Sequence, residues 1–355
     1  MAEPRPAPPA ADPAAPAGRY PPAGTAAHPG GRGPRARAAD RTAADPAALV
    51  ARARDGDARA LARLVSLVEN RSPELRAVMK AVAPLTGTAR VLGLTGSPGV
   101  GKSTVTGALV AAYRAAGMRV GVLAIDPTSP FSGGALLGDR VRMQEHATDG
   151  GVFIRSMASR GHLGGLSLAT PQALRILDAA GFDLVLIETM GVGQAELEIA
   201  SLADSTLVIV APGMGDSVQA AKAGILEIAD IFVVNKSDRP AAQEAVRDLR
   251  TMLSMGHWGN GQWKPPIVST VASAGTGIDD LTARIGAHWA WLDSSGELSA
   301  RRRARAREEV AAIAVAVLRE RVGGLPGDAR LDELAAQVAA GQIDPYSAAD
   351  ELVSG

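Results

Sequence analysis

The chain contains no cysteine among its 355 residues. Disulfides, thiolate metal sites and thiol redox chemistry are therefore excluded. It also lacks an excess of charge of either sign, since 37 Lys and Arg balance 37 Asp and Glu. Without a basic surplus there is no electrostatic footing for a polyanion, so no nucleic-acid partner is expected. No apolar run reaches the roughly 18 residues of a membrane helix. The N-terminus has no apolar signal-peptide core, so a cytoplasmic protein without a membrane partner is the default expectation. Aromatics are scarce, at 3%, but hydrophobic residues make up 46%, enough to build a core. At roughly 100–200 residues per domain, the length allows one large domain with extensions, or two domains.

Composition changes along the chain. Residues 1–45 are mostly Pro, Ala, Gly and Arg, with almost no large apolar side chains. Such a segment cannot offset its chain entropy by burial, which predicts a disordered tail. An N-terminal helical extension is expected over 46–88. Asp57 is placed to cap a helix carrying Leu61, Leu64, Val65 and Val68 on one stripe. Ser72-Pro73 reads as a second helix start, followed by the stripe Leu75, Val78, Met79 and Val82.

From about residue 90 the pattern alternates between short apolar runs and helical stretches. The runs are Val91–Thr95, Val120–Ile125, Val152–Ile154, Leu184–Ile187, Leu207–Val210, Ile231–Val234 and Ile267–Val271. Near-continuous apolarity marks strands covered on both faces. The alternation predicts a doubly wound α/β fold with a mostly parallel sheet, here over 89–294. Ligands in such folds sit at the carboxyl ends of the strands. Residues 295–355 read as helical again, either a dimerisation or partner arm or a helical cap on the sheet. Arg301–Arg303 reads as a solvated face.

The segment Gly96-Ser97-Pro98-Gly99-Val100-Gly101-Lys102-Ser103, followed by Thr104, matches the phosphate-loop pattern and lies between an expected strand and an expected helix. Its glycines let backbone N–H groups curl around phosphate oxygens, and the helix N-terminus adds partial positive charge. Lys102 can reach the β- and γ-phosphates, and the Ser103 hydroxyl can ligate Mg²⁺.

Asn235-Lys236-Ser237-Asp238 follows a later strand. This N-x-x-D arrangement with lysine second is the guanine reader of phosphate-loop GTPases. The Asp238 carboxylate can accept from both N1–H and the exocyclic amine of guanine. Adenine does not offer those two donors together, so one buried carboxylate can discriminate strongly. The Lys236 stem can pack along the base. After the last strand, Thr270 and Ala272 are candidates for a backbone N–H contact to the guanine oxygen.

For the metal, the strand Leu184–Ile187 runs into Glu188-Thr189-Met190-Gly191, Asp126 ends the second strand, and Asp139 lies in a loop that could close over the nucleotide. Their carboxylates, with Ser103, are hard oxygen donors of the kind Mg²⁺ prefers. Lys102, Glu188 and Asp139 are the expected catalytic groups. His146 and His162 are isolated. No side chain stands out as a water-positioning group, and Gln194 lies at an unusual spacing. Slow intrinsic hydrolysis is expected, completed by a partner or by dimerisation.

With these motifs in place, the chain resembles the MeaB/ArgK family of GTPases associated with adenosylcobalamin-dependent methylmalonyl-CoA mutase. The supporting strings are Leu67–Arg71, the phosphate loop, Ala124–Ser129, Leu137–Met143, Glu188–Gln194 and Pro212–Asp216 leading to Lys222. The resemblance implies a homodimer using helical terminal extensions. It also implies a chaperone role in which bound GTP and its hydrolysis to GDP gate cofactor loading and protect the mutase. It implies Lys102 and Ser103 for phosphates and Mg²⁺, Asp126, Asp139 and Glu188 as metal and switch carboxylates, Asp238 for guanine, and the loop 213–222 as a signalling element. Met190 and Ala195 depart from the family's usual residues beside the switch. Isobutyryl- or ethylmalonyl-type mutases remain alternative partners. A nickel metallochaperone would need the cysteines this chain lacks, and a small-molecule kinase fits poorly with a guanine reader.

Overall fold

The computed structural model describes residues 45–127, 148–159, 169–189, 195–213, 225–256, 258–259, 261–321 and 329–354. Residues 1–44 of the expected N-terminal tail, the Asp139 loop, His146, His162, Met190, Gln194 and the stretch 214–222 lie outside them.

All seven expected strands form. They are β1 (Arg90–Thr95), β2 (Val120–Pro127), β3 (Val152–Ser159), β4 (Leu184–Thr189), β5 (Ser205–Val210), β6 (Ile231–Val234) and β7 (Ile267–Ser269). They join in one sheet of order β3-β2-β4-β1-β5-β6-β7. Every paired register is parallel. The reason lies in the side chains. Along β1, Val91 faces one apolar layer while Leu92 and Leu94 face the other. A strand with both faces covered by helices has no polar face to show, as parallel connections require.

On one face, Val91, Leu123, Ile125, Val185 and Ile187 pack with buried residues of the helices α2 (Ala58–Glu69), α3 (Leu75–Val82), α5 (Ala169–Ala179) and α6 (Ala195–Leu202). On the other, Leu92, Leu94, Val122, Leu186 and Ile209 pack with α4 (Lys102–Ala115). Asp57 caps α2 as expected, its Oδ1 accepting from the N–H groups of Arg59 (2.9 Å) and Ala60 (3.1 Å). The expected start at Ser72-Pro73 is corrected. A turn closed by Leu75 N–H to Ser72 O (2.9 Å) occupies that position, and the Ser72 hydroxyl donates to Glu74 instead of capping, so α3 begins at Leu75.

The remaining α-helices are α1 (Pro46–Arg54), α7 (Ile225–Ile228), α8 (Ala242–Met255), α9 (Ile278–Ser295), α10 (Glu297–Arg321), α11 (Ala329–Ala339) and α12 (Pro345–Ser354). The root of α10 corrects a second expectation. Arg301 and Arg302 are not a solvated face. Arg302 grips Asp204 through Nη2 (2.8 Å) and Nε (3.2 Å), and Arg305 reaches the same carboxylate at 3.0 Å. Arg301 takes Asp230 with two contacts of 3.0 Å. Each aspartate immediately precedes a strand and also accepts a backbone N–H, from Val91 (3.0 Å) and Thr206 (2.8 Å) respectively. Burial alone would raise both carboxyl pKa values. Arg302 and Arg305 beside Asp204, and His288 and Arg301 beside Asp230, outweigh it and hold both below the ordinary carboxylate range. The His288 Nε2 lies 3.3 Å from Asp230 without hydrogen-bond alignment, so we assign the main pairing to Arg301.

Candidate nucleotide site

Because the strands run parallel, their carboxyl ends lie on one edge, and the expected motifs meet there. The loop from Gly96 to Gly101 leaves β1 and enters α4. Gly96 has φ +139°, and a Cβ on it would lie 2.1 Å from the Ile209 carbonyl oxygen. Glycine is thus required for the loop to pass against β5. Gly101 has φ +95°, and a Cβ there would lie 2.4 Å from Asn235 Nδ2. α4 starts at the next residue, so the unpaired N–H groups of its first turn stand at the loop. Lys102 is nearly buried, and its ammonium donates to the loop carbonyls of Gly96 (2.6 Å) and Ser97 (3.1 Å). Thr104 is exposed on the first turn.

Asn235 connects the phosphate loop to the base-reading loops. Its Nδ2 donates to Val100 O (2.9 Å), while Oδ1 accepts from Thr270 Oγ1 (3.2 Å) and from Ala272 N–H (3.1 Å). Lys236, at φ +56°, donates to Gly99 O (2.6 Å). Asp238 is exposed on the turn after β6. Thr270 and Ala272, the candidates for the guanine oxygen, are both engaged within the fold. The Thr270 N–H donates to Val234 O (2.9 Å), and the Ala272 N–H is directed at Asn235. In this arrangement both residues buttress Asn235, and a guanine oxygen would have to share the Ala272 N–H with it.

Glu188, at the end of β4, is 1% exposed. Its Oε1 accepts from Ser103 Oγ (2.6 Å) and its Oε2 from Thr106 Oγ1 (2.9 Å). Two of the four expected metal residues are therefore in contact. Asp126 is placed by its backbone at the same edge, since the preceding Ile125 pairs with Thr189. Its side chain and the whole of Asp139 lie outside the described residues. Thr106 was not anticipated as a site residue. The available signal was its i+3 spacing from Ser103, which puts both hydroxyls on one helical face.

The family model for the methylmalonyl-CoA mutase-associated GTPase MeaB matches residues 61–325. The chain belongs to the MeaB family. A relative from Pyrococcus horikoshii is 48% identical over 304 residues, covering 85% of this chain and 95% of its own. The GTPase ArgK of Escherichia coli is 36% identical over 263 residues, covering 70% and 77%. A solved structure titled LAO/AO transport system kinase superposes with a TM-score of 0.65 at 27% identity, over 88% of this chain and 97% of that one. As a MeaB-family protein with a phosphate-loop fold, the chain is a GTPase that binds guanine nucleotide and forms GDP and phosphate. Among the described residues, no helix is long and apolar enough to cross a membrane.

Proposed function

We propose that this MeaB-family GTPase is Mg²⁺-dependent and serves as a chaperone of an adenosylcobalamin-dependent acyl-CoA mutase, with methylmalonyl-CoA mutase as the first candidate. The observation that carries the nucleotide half is the Asn235 bracket. One buried amide ties the phosphate loop at Val100 to the base-reading loop at Ala272, so both ends of one nucleotide are gauged by a single rigid unit. Asp238 then reads N1–H and the exocyclic amine of guanine. Lys102 exchanges its loop carbonyls for the β- and γ-phosphate oxygens, for which its ammonium is a stronger partner. The hydroxyl of Ser103 and the carboxylate of Glu188 form an oxygen donor set that suits Mg²⁺. Asp126 and Asp139 are further candidates to hold the ion. Once bound, Mg²⁺ would neutralise charge developing on the phosphates.

The partner half rests on the family and on a mouse relative named methylmalonic aciduria type A homolog, 36% identical over 214 residues, 59% of this chain and 52% of that one. The far half of α10 exposes Val310, Ile313, Val315 and Leu318, apolar positions that a homodimer or the mutase would cover. We therefore take 46–88 as a helical extension, 89–294 as the GTPase unit and 295–355 as the association arm.

Titrating GTP and ATP into the full chain with and without Mg²⁺, followed by capture of purified methylmalonyl-CoA mutase in the GTP- and GDP-bound states, tests the reading. Guanine preference, Mg²⁺-dependent turnover and nucleotide-dependent capture are expected. Equal binding of ATP would overturn the nucleotide half, and no capture in either state would overturn the partner.

A further inference from the structure

Glu188 is held by two hydroxyls one helical turn apart on α4, and only one of them belongs to the phosphate-loop motif. Thr106 is fully buried, and its Oγ1 lies within reach of two acceptors, Glu188 Oε2 at 2.9 Å and Lys102 O at 3.0 Å. A hydroxyl has one proton to donate. The Lys102 carbonyl, four residues back, is in the position that accepts the main-chain N–H of residue 106 in a regular helix, so it does not depend on the side chain. The carboxylate offers a charge-assisted bond of roughly twice the strength of a neutral one. The proton therefore belongs on Glu188.

Ser103 stands on the other carboxylate oxygen at 2.6 Å. If Ser103 turns its oxygen to a cation, its grip on Glu188 changes, whereas Thr106 sits deeper and keeps its bond. We propose that Thr106 is a positioning residue that fixes the Glu188 carboxylate for Mg²⁺, acting through Glu188 and touching neither nucleotide nor ion. This rests on the Mg²⁺-dependent reading above.

The test uses the full chain and three variants, Thr106→Val, Thr106→Ser and Glu188→Gln. The readout is the Mg²⁺ concentration that half-maximally slows release of a fluorescent GDP analogue. Affinity for the same analogue is measured in EDTA, and thermal unfolding checks the fold. Removing a partner that orients a metal ligand weakens metal binding by about 10–100-fold in general; with Ser103 still in place, Thr106→Val is expected to raise the half-point about three- to tenfold. Thr106→Ser is expected to stay within about twofold of the parent, and metal-free affinity to stay unchanged in both. A purely structural role would move the EDTA affinity or the unfolding temperature and leave the Mg²⁺ half-point alone.

The proposal is overturned if Glu188→Gln shifts the half-point and Thr106→Val does not. If Glu188→Gln also leaves it unmoved, the Mg²⁺ assignment of Glu188 has failed, and this inference with it. Should Thr106→Val not fold, Thr106→Ala against Thr106→Ser gives the same comparison.

Discussion

Replacing Asn235 with alanine removes three hydrogen bonds at once and strands the Val100 carbonyl, the Ala272 N–H and the Thr270 hydroxyl. The amide is 3% exposed, so water does not readily replace it. At about 1 kcal/mol net per bond, with a further cost for groups left buried and unpaired, the local loss is about 3–4 kcal/mol. If that loss falls on loop alignment, affinity drops by about two to three powers of ten, since each tenfold is about 1.4 kcal/mol. The bracket touches both ends of the site, so GTP and inosine triphosphate should weaken together and their ratio should persist. Asp238→Ala should do the opposite. It removes the acceptor for the amine that inosine lacks, so the ratio should fall towards about one while phosphate binding survives. Isothermal titration of both nucleotides into both variants separates the two roles. An Asn235→Ala protein that binds GTP within about threefold of the parent, or that loses the ratio without losing affinity, refutes the bracket.

Four further outcomes follow from the fold. Gly96→Ala meets a backbone oxygen at 2.1 Å and a φ of +139°, and should destabilise by about 3 kcal/mol and abolish nucleotide binding. Gly99→Ala, with φ +79° but nothing within 4 Å, should cost only about 1–2 kcal/mol, so chemical denaturation of the pair isolates the clash. Asp204→Ala leaves Arg302 and Arg305 without their carboxylate and should cost about 3 kcal/mol, read as a lower unfolding temperature. The same carboxylates set an acid limit. Asp204 and Asp230 titrate lower in the fold than in the unfolded chain, so their contribution is fully present above about pH 4 and is lost as pH falls through the depressed values. Asp204→Asn should flatten that part of the stability profile. Leu318→Asp, on the exposed face of α10, should reduce self-association in light scattering if that face is the dimer contact.

The sheet was legible because its inner strands are covered on both sides and so carry near-continuous apolar runs; Leu184–Ile187 and Ile231–Val234 leave little choice. The phosphate loop and the guanine turn were legible because backbone curvature and base recognition each need fixed residue types at fixed spacing. Other features were hidden for physical reasons. Arg301 and Arg302 read as solvent-facing because their partners lie 71 and 98 residues away. Local periodicity carries no trace of such pairs. Two solitary acids, each directly preceding an apolar strand, were the only hint. Thr106 offers in the sequence only its spacing from Ser103, and its role depends on the fold bringing β4 beside α4. The bonds of Thr270 and Ala272 to Asn235 were not legible, because sequence does not tell which of several nearby groups an interior side chain will engage.

The arginine-rich root of α10 also determines where this enzyme can be cut. A version trimmed after Ser294, at the apparent seam between catalytic unit and tail, would retain Asp204 and Asp230 at the amino ends of two central strands after discarding their counter-ions. The shortest self-sufficient form has to run past Arg305, so the first turns of α10 belong to the foundation under β5 and β6.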